Sequence, residues 1–375
     1  MSINDLESLS AYIPMDRRQA MQDGVILDGD ITGTALFADI SGFTPLSEAL
    51  VRSLGPQRGA EELTIHLNRF YDALIDQLHK YRGSVIGFSG DAITCWFDQD
   101  QGHRAAACAL AMQRTTAQFQ NIKLPDGETT TLAIKAALAF GHAKRLLVGD
   151  PDTHIKDVII GRLMDNLAAA EKAAGSGEII LDQSVIENIQ SSITFSDKKV
   201  STNNGRIYGI LDGFHHETVS PAWPGINPDS LAIESLKPWL LKPVYTRLQR
   251  GQGEFLAELR PAVALFARFS GIDYEQDHLA GNKLDEFVRR VQLILLQYDG
   301  SLIQLTTGDK GSYLYAAFGA PNAHEDDSIR AVSAAVEIRD IQNELKYISS
   351  IQIGISQGTM RSGAYGSTER RTYGV

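Results

Sequence analysis

The sequence predicts an α+β protein built from two copies of one unit, and three matches in chain order carry that prediction. Ala35-Leu-Phe-Ala-Asp-Ile-Ser-Gly42 returns as Ala264-Leu-Phe-Ala-Arg-Phe-Ser-Gly271, 229 residues later. Tyr81-Arg-Gly-Ser-Val-Ile86 returns as Tyr298-Asp-Gly-Ser-Leu-Ile303, 217 residues later. At that same 217-residue offset, Gly141 and Gly149 fall on Gly358 and Gly366. Self-similarity that keeps its order is the mark of a repeated structural unit.

Each copy opens with a strand and a long helix. In the first, Leu63, Leu67, Phe70, Leu74 and Leu78 form a stripe at helical spacing, and Arg82-Gly83 closes that helix. Val85–Ile86 and Ile93–Phe97 flank Gly90-Asp91 as a β-hairpin. An Ala-rich helix from Ala105 to Phe119 follows, then strands from Thr131 to Gly141 and from Val158 to Ile160. The order β-α-β-β-α-β is the ferredoxin-like arrangement. The expected division is an N-terminal helical segment (1–29), a first unit (30–215), a connector (216–257) and a second unit (258–375). Leu6, Leu9, Tyr12 and Ile13 give the first segment an apolar face, and five prolines with two tryptophans between Pro221 and Pro243 make the connector read as ordered.

Composition bounds the function. At 375 residues, 43% apolar and 22% charged, the chain has room for two globular units with their own cores. A net charge of −11 opposes binding to a nucleic-acid backbone. No apolar run approaches the 18 or so residues of a membrane span, and no secretory leader is present, so a cytoplasmic location is expected. Cys95 and Cys108 lack metal-ligand spacing and read as a buried, reduced pair.

Two acids stand out. Asp39 and Asp91 each interrupt an apolar run of strand character, where a carboxylate is costly unless a cation neutralises it. On adjacent strands the two can share a divalent ion, and the small turn Ser41-Gly-Phe-Thr44 offers backbone amides to phosphate oxygens. Plainer roles remain open: a helix N-cap for Asp39 and a turn carboxylate for Asp91.

At these residues the chain resembles the class III nucleotidyl cyclases, and most closely the tandem soluble adenylyl cyclase type. The motifs are Phe37-Ala-Asp-Ile-Ser-Gly-Phe-Thr44, Phe88-Ser-Gly-Asp-Ala92 and, in the second copy, Thr307-Gly-Asp-Lys-Gly311. The resemblance implies two cyclase homology domains joined as an intramolecular pseudo-dimer, with the second copy incomplete and ATP in the cleft between them. It implies two Mg²⁺ or Mn²⁺ ions held by Asp39, Asp91 and the Ile40 carbonyl, a triphosphate held by Ser41, Gly42, Phe43, Thr44 and Arg145, and a purine read by Lys310 and Val375. A solvated hairpin lysine at 310 and a surface basic pair at Lys144-Arg145 are the plainer alternatives. The expected reaction is conversion of ATP to cyclic AMP and pyrophosphate; the alternative is a weak or inactive nucleotide-sensing module of a larger signalling protein.

The second copy carries Arg268 in the place of Asp39, so it cannot build the same ion site. In the first copy the family's Asn-x-x-x-Arg helix is weakened: Asn166 is kept, and Ala170 replaces the arginine. The strand ending at Val375 stops short of the helix that carries those groups in the second copy, so further C-terminal domains and poor activity of this stretch alone are expected.

Overall fold

The computed structural model describes residues 3–124, 127, 129–200, 205–216, 220–251, 258–307 and 311–375. Helices α1 (Ile3–Ser10) and α2 (Met15–Asp23) precede the first unit. That unit runs β1 (Asp30–Ser41), α3 (Phe43–Leu54), α4 (Pro56–Lys80), β2 (Ser84–Ser89), β3 (Ala92–Asp98) and α5 (His103–Thr115). A small ribbon, β4 (Ile122–Lys123) with β5 (Thr129–Thr130), leads to β6 (Ala133–Val148), β7 (Lys156–Ile160) and α6 (Arg162–Ala173). The unit ends with β8 (Ile179–Leu181), α7 (Gln183–Ile189), β9 (Ile193–Val200) and β10 (Ile207–Phe214). The connector holds α8 (Ile233–Leu236) and α9 (Lys242–Gln249). The second unit is β11 (Glu258–Ser270), α10 (Ala280–Gln297), β12 (Ser301–Thr306), β13 (Ser312–Phe318), α11 (Asp327–Glu344), β14 (Ser350–Gly366) and β15 (Arg371–Gly374).

The fold is α+β, and the two units share a sheet plan. The first sheet begins β2-β3-β1-β6 and the second β12-β13-β11-β14, each with antiparallel pairs throughout that stretch. This is the ferredoxin-like order, with helices packed on the sheet. The first sheet continues through β8, β10 and β9.

The same backbone constraint appears in both copies. Gly42 and Gly271 have φ of +93° and +118°, and a Cβ there would meet the carbonyl oxygens of Thr131 and Tyr347 at 2.2 and 2.1 Å. Only glycine fits a left-handed turn with so close an approach.

The units also exchange arms. Val148, Val158 and Ile160, from β6 and β7, are buried in the core under the second sheet. Tyr365, from β14, is buried in the core under the first. The N-terminal segment seals the seam: Leu9, Tyr12 and Ile13 pack with connector residues Leu236, Trp239 and Val244 and with Tyr373 of β15. That burial confirms the apolar face read from the sequence. Among the described residues no helix is long and apolar enough to cross a membrane.

Candidate active site

The strand register brings the two acids together. Asp39 lies opposite Ala92 of β3, so Asp91, in the hairpin turn before Ala92, is one residue beyond the position paired with Asp39. The N-cap of α3 is Gly42, so Asp39 does not take that plainer role. Asp91 is half-buried, and its carboxyl is pushed up by that burial and then by the negative charge of Asp39.

On its other side Asp39 pairs with Lys135 of β6, whose Nζ is 3.2 Å from its Oδ2. Lys135 also bonds Glu171 of α6. Burial works against the ammonium, but Glu171 and then Asp39 outweigh it, so Lys135 is held protonated more firmly than usual. Sequence reasoning missed this lysine. The signal was there: Lys135 interrupts the apolar run Ala133–Phe140 as Asp39 interrupts its own.

The turn after Asp39 becomes the start of α3. Its cap has no side-chain hydrogen bond, Pro45 has no amide hydrogen, and the amide of Leu46 is taken by the Gly42 carbonyl. The N–H groups of Phe43 and Thr44 thus stand in the unsatisfied first turn, next to Asp39, where an anion is favoured.

The fit to divalent ions can be judged from these donors. Two carboxylates that repel one another, beside the backbone of Ile40, form a hard-oxygen set, and an ammonium already stands against one of them as a cation. Among the described residues no group of three or more His, Cys, Asp or Glu side chains converges. A pair of carboxylates leaves coordination positions free, as suits an ion shared with phosphate oxygens.

Arg145 is placed elsewhere, which corrects its assignment to the triphosphate. Its side chain is 2% exposed and bonded to Asp16 of α2 and, at 2.6 Å, to Asp157 of β7. Burial alone would lower its pKa, but Asp157 and Asp16 more than offset this and hold the guanidinium charged. Arg17 bonds the same Asp157 at 3.0 Å. The basic pair is therefore split, with Arg145 inside a buried ionic cluster that ties the N-terminal segment to the first sheet.

From the second unit, Val375 packs partly buried at the seam, and its carbonyl accepts a 3.0 Å hydrogen bond from the Tyr315 hydroxyl. Lys310 and its neighbours Gly308 and Asp309 lie outside the described residues. Arg268 holds the register position of Asp39, opposite Tyr313 and Gln352, and is exposed.

No family model matches the chain. It is 24% identical to human adenylate cyclase type 10 over 373 residues, covering 92% of this chain, and 23% identical to the rabbit protein of the same name over 368 residues. The chain spans 23% of the length of each. Among solved structures, a class III adenylyl cyclase-like ATP-binding protein from Pseudomonas aeruginosa matches with a TM-score of 0.57 and 14% identity, covering 96% of this chain and 86% of that one.

Proposed function

We propose that this chain, which belongs to the class III nucleotidyl cyclase family, converts ATP to cyclic AMP and pyrophosphate. The observation that carries the reading is the meeting of Asp39, on β1, with Asp91, in the turn of the neighbouring hairpin, beside a helix start with free amides. In the reaction the ribose 3′-oxygen bonds to the α-phosphorus, the bond from that phosphorus to the bridging oxygen breaks, and the hydroxyl proton passes to solvent. No protein base is needed; positioning and charge stabilisation suffice.

Asp39, Asp91 and the Ile40 carbonyl are the groups to hold two Mg²⁺ or Mn²⁺ ions. When bound, such ions lower the pKa of the ribose hydroxyl and neutralise charge on the triphosphate. The amides from Ser41 to Thr44 donate to the outer phosphates. Lys135, anchored by Glu171, supplies the cation that was expected of Arg145: once Asp39 is engaged, its ammonium can turn to a phosphate oxygen. The second unit reads the purine with Lys310 and the backbone of Val375, a donor at 310 favouring adenine over guanine.

The test is cyclic AMP formation from Mn-ATP by the full-length protein, with binding of Mn-ATP measured alongside. Asp39→Ala and Asp91→Ala should each lower turnover at least about a hundredfold with circular dichroism unchanged, since each removes charge stabilisation in the transition state. Wild-type turnover in both would overturn the ion assignment. Tight Mn-ATP binding without any product would instead favour the nucleotide-sensing module. Lys310→Glu should shift the ATP-to-GTP preference about tenfold toward GTP; an unchanged ratio removes Lys310 from the purine site.

A further inference from the structure

The hairpin that carries Asp91 rests on three aromatic rings drawn from both halves of the chain. Phe88 of β2 meets Tyr71 of α4 edge-on, with centroids 5.4 Å apart. Tyr365 of β14 completes the triangle, 5.6 Å from Phe88 and 6.1 Å from Tyr71. The Tyr71 hydroxyl donates to the carbonyl of Gly90, the residue before Asp91, at 3.2 Å. Gly90 has φ of +66°, so this bond fixes a carbonyl in a turn that few other residues adopt.

The second half holds the triangle in place. The Arg361 guanidinium lies 5.1 Å over the Tyr365 ring, and its Nε donates to Thr64 of α4 at 3.1 Å. Further along the same helix, Asn68 accepts from the Gly366 amide at 3.2 Å and Asp72 from the Thr368 amide at 2.9 Å. Gln304 of β12 donates to Ser89 of the hairpin at 3.0 Å.

The internal repeat supplies the control. At the 217-residue offset, Tyr71 falls on Val288, Phe88 on Leu305, and Val148 on Tyr365. Val148, Val288 and Leu305 are all buried in the core under the second sheet. One scaffold therefore packs the same three places twice: with aliphatic residues under the hairpin of the second half, and with aromatic ones under the hairpin that bears Asp91. Packing alone does not require the rings, because the second half is filled without them. A tyrosine adds stiffness and a hydroxyl that can hold a carbonyl.

We propose that Tyr71 and Tyr365 are positioning residues for Asp91, and that the second half, through Tyr365, sets the geometry of the carboxylate pair in the first. The inference rests on the reading of Asp39 and Asp91 as an ion site. It gives the second half a role there that is separate from contact with nucleotide.

The experiment is Mn²⁺ binding by calorimetry on the full chain, with amide hydrogen exchange of residues 88–92 in metal-free protein. The variants are Asp91→Asn, Tyr71→Phe, Tyr365→Phe and Tyr365→Val. Asp91→Asn should abolish one binding event; if it leaves binding unchanged, the ion reading itself fails. Given that loss, Tyr71→Phe should weaken Mn²⁺ about three- to tenfold and speed exchange in the hairpin, Tyr365→Val should do at least as much, and Tyr365→Phe, which keeps the ring, should restore wild-type values. If Tyr365→Val proves too unstable to measure, Tyr71→Phe decides, because it removes only a hydroxyl. Mn²⁺ affinity and hairpin exchange both unchanged in Tyr71→Phe, with Asp91→Asn impaired, would overturn the positioning role.

Discussion

Two rows of side chains, one in each half, show how little separates a site from a surface. In the first half the row across β3, β1 and β6 reads Ala92, Asp39, Lys135; in the second, across β13, β11 and β14, it reads Tyr313, Arg268, Gln352. Strand order, register and the left-handed glycine beyond the row are shared. All three side chains of the row differ, and the central charge changes sign. The stretch of chain beyond the glycine differs as well. In the first half α3 begins at once and presents free amides; in the second the chain turns through Asp273 to Glu275, and the Glu275 carboxylate accepts from the Arg162 amide at the start of α6. The chain beyond Gly271 thus reaches across to the first half, where its acid caps the start of α6, instead of opening a helix of its own at once.

The largest expected effect concerns the ionic cluster that only the first half possesses. At the 217-residue offset Arg145 corresponds to Ser362, a small buried residue, so the second half manages without a charge there. Arg145→Met would leave Asp16 and Asp157 facing one another, with Arg17 still bonded to Asp157. Removing one partner of a buried ion pair costs about 3–5 kcal/mol, and denaturant titration should show a loss of that size. The fraction that stays folded should bind Mn-ATP with unchanged affinity. A selective loss of nucleotide affinity at full stability would return Arg145 to the triphosphate site.

Lys135 offers an intermediate effect and bears on whether the row Asp39–Lys135 is a site or a structural pair. Here the two roles predict opposite signs for metal alone. Lys135→Met takes a competing cation from Asp39, so Mn²⁺ without nucleotide should bind a few-fold more tightly, while Mn-ATP should bind a few-fold less tightly for want of a phosphate partner. The pair is part-exposed, with side chains 20% and 28% accessible, which keeps the expected change near 1 kcal/mol or less. Equal loss of both affinities would point to collapse of the local structure instead.

The features readable in the sequence are those set by short-range interactions. The repeat, the hairpin and the acids at 39 and 91 are local patterns: strand period, helical stripe, and a charge where the pattern wants an apolar residue. Those survive into the structure because tertiary packing obeys the same periods. Arg145 was assigned to the triphosphate because the family resemblance places a basic residue there, whereas its environment is set by Asp16, 129 residues away, and by Asp157 across the β6–β7 turn. The aromatic triangle was hidden for the same reason: Tyr71, Phe88 and Tyr365 are ordinary residues when taken apart, and only the arm exchange between halves brings the third ring beneath the hairpin. Lys135 was a long-range partner that a local rule could have found.

The smallest effect tests whether the first half sacrifices stability for its site. Burial and Asp39 both push the Asp91 carboxyl upward, so the folded protein binds a proton there more readily than the unfolded chain does. Ionised Asp91 therefore destabilises the metal-free fold, and the cost is fully present above the raised pKa and fades as pH falls through it toward the ordinary carboxylate value. Asp91→Asn removes the charge and keeps the shape. In metal-free protein at pH 7 its Tm should exceed that of wild type by a degree or two, a small gain because the group is only half-buried. The gain should shrink as the pH is lowered below the carboxylate range, where wild-type Asp91 is neutral as well. Adding Mn²⁺ should reverse the order, since a ligand that binds only the native state raises the Tm of the protein that holds it. A variant less stable than wild type in metal-free buffer at pH 7 would mean that Asp91 is a structural turn residue, and the contrast with the second half would then lie in packing and not in function.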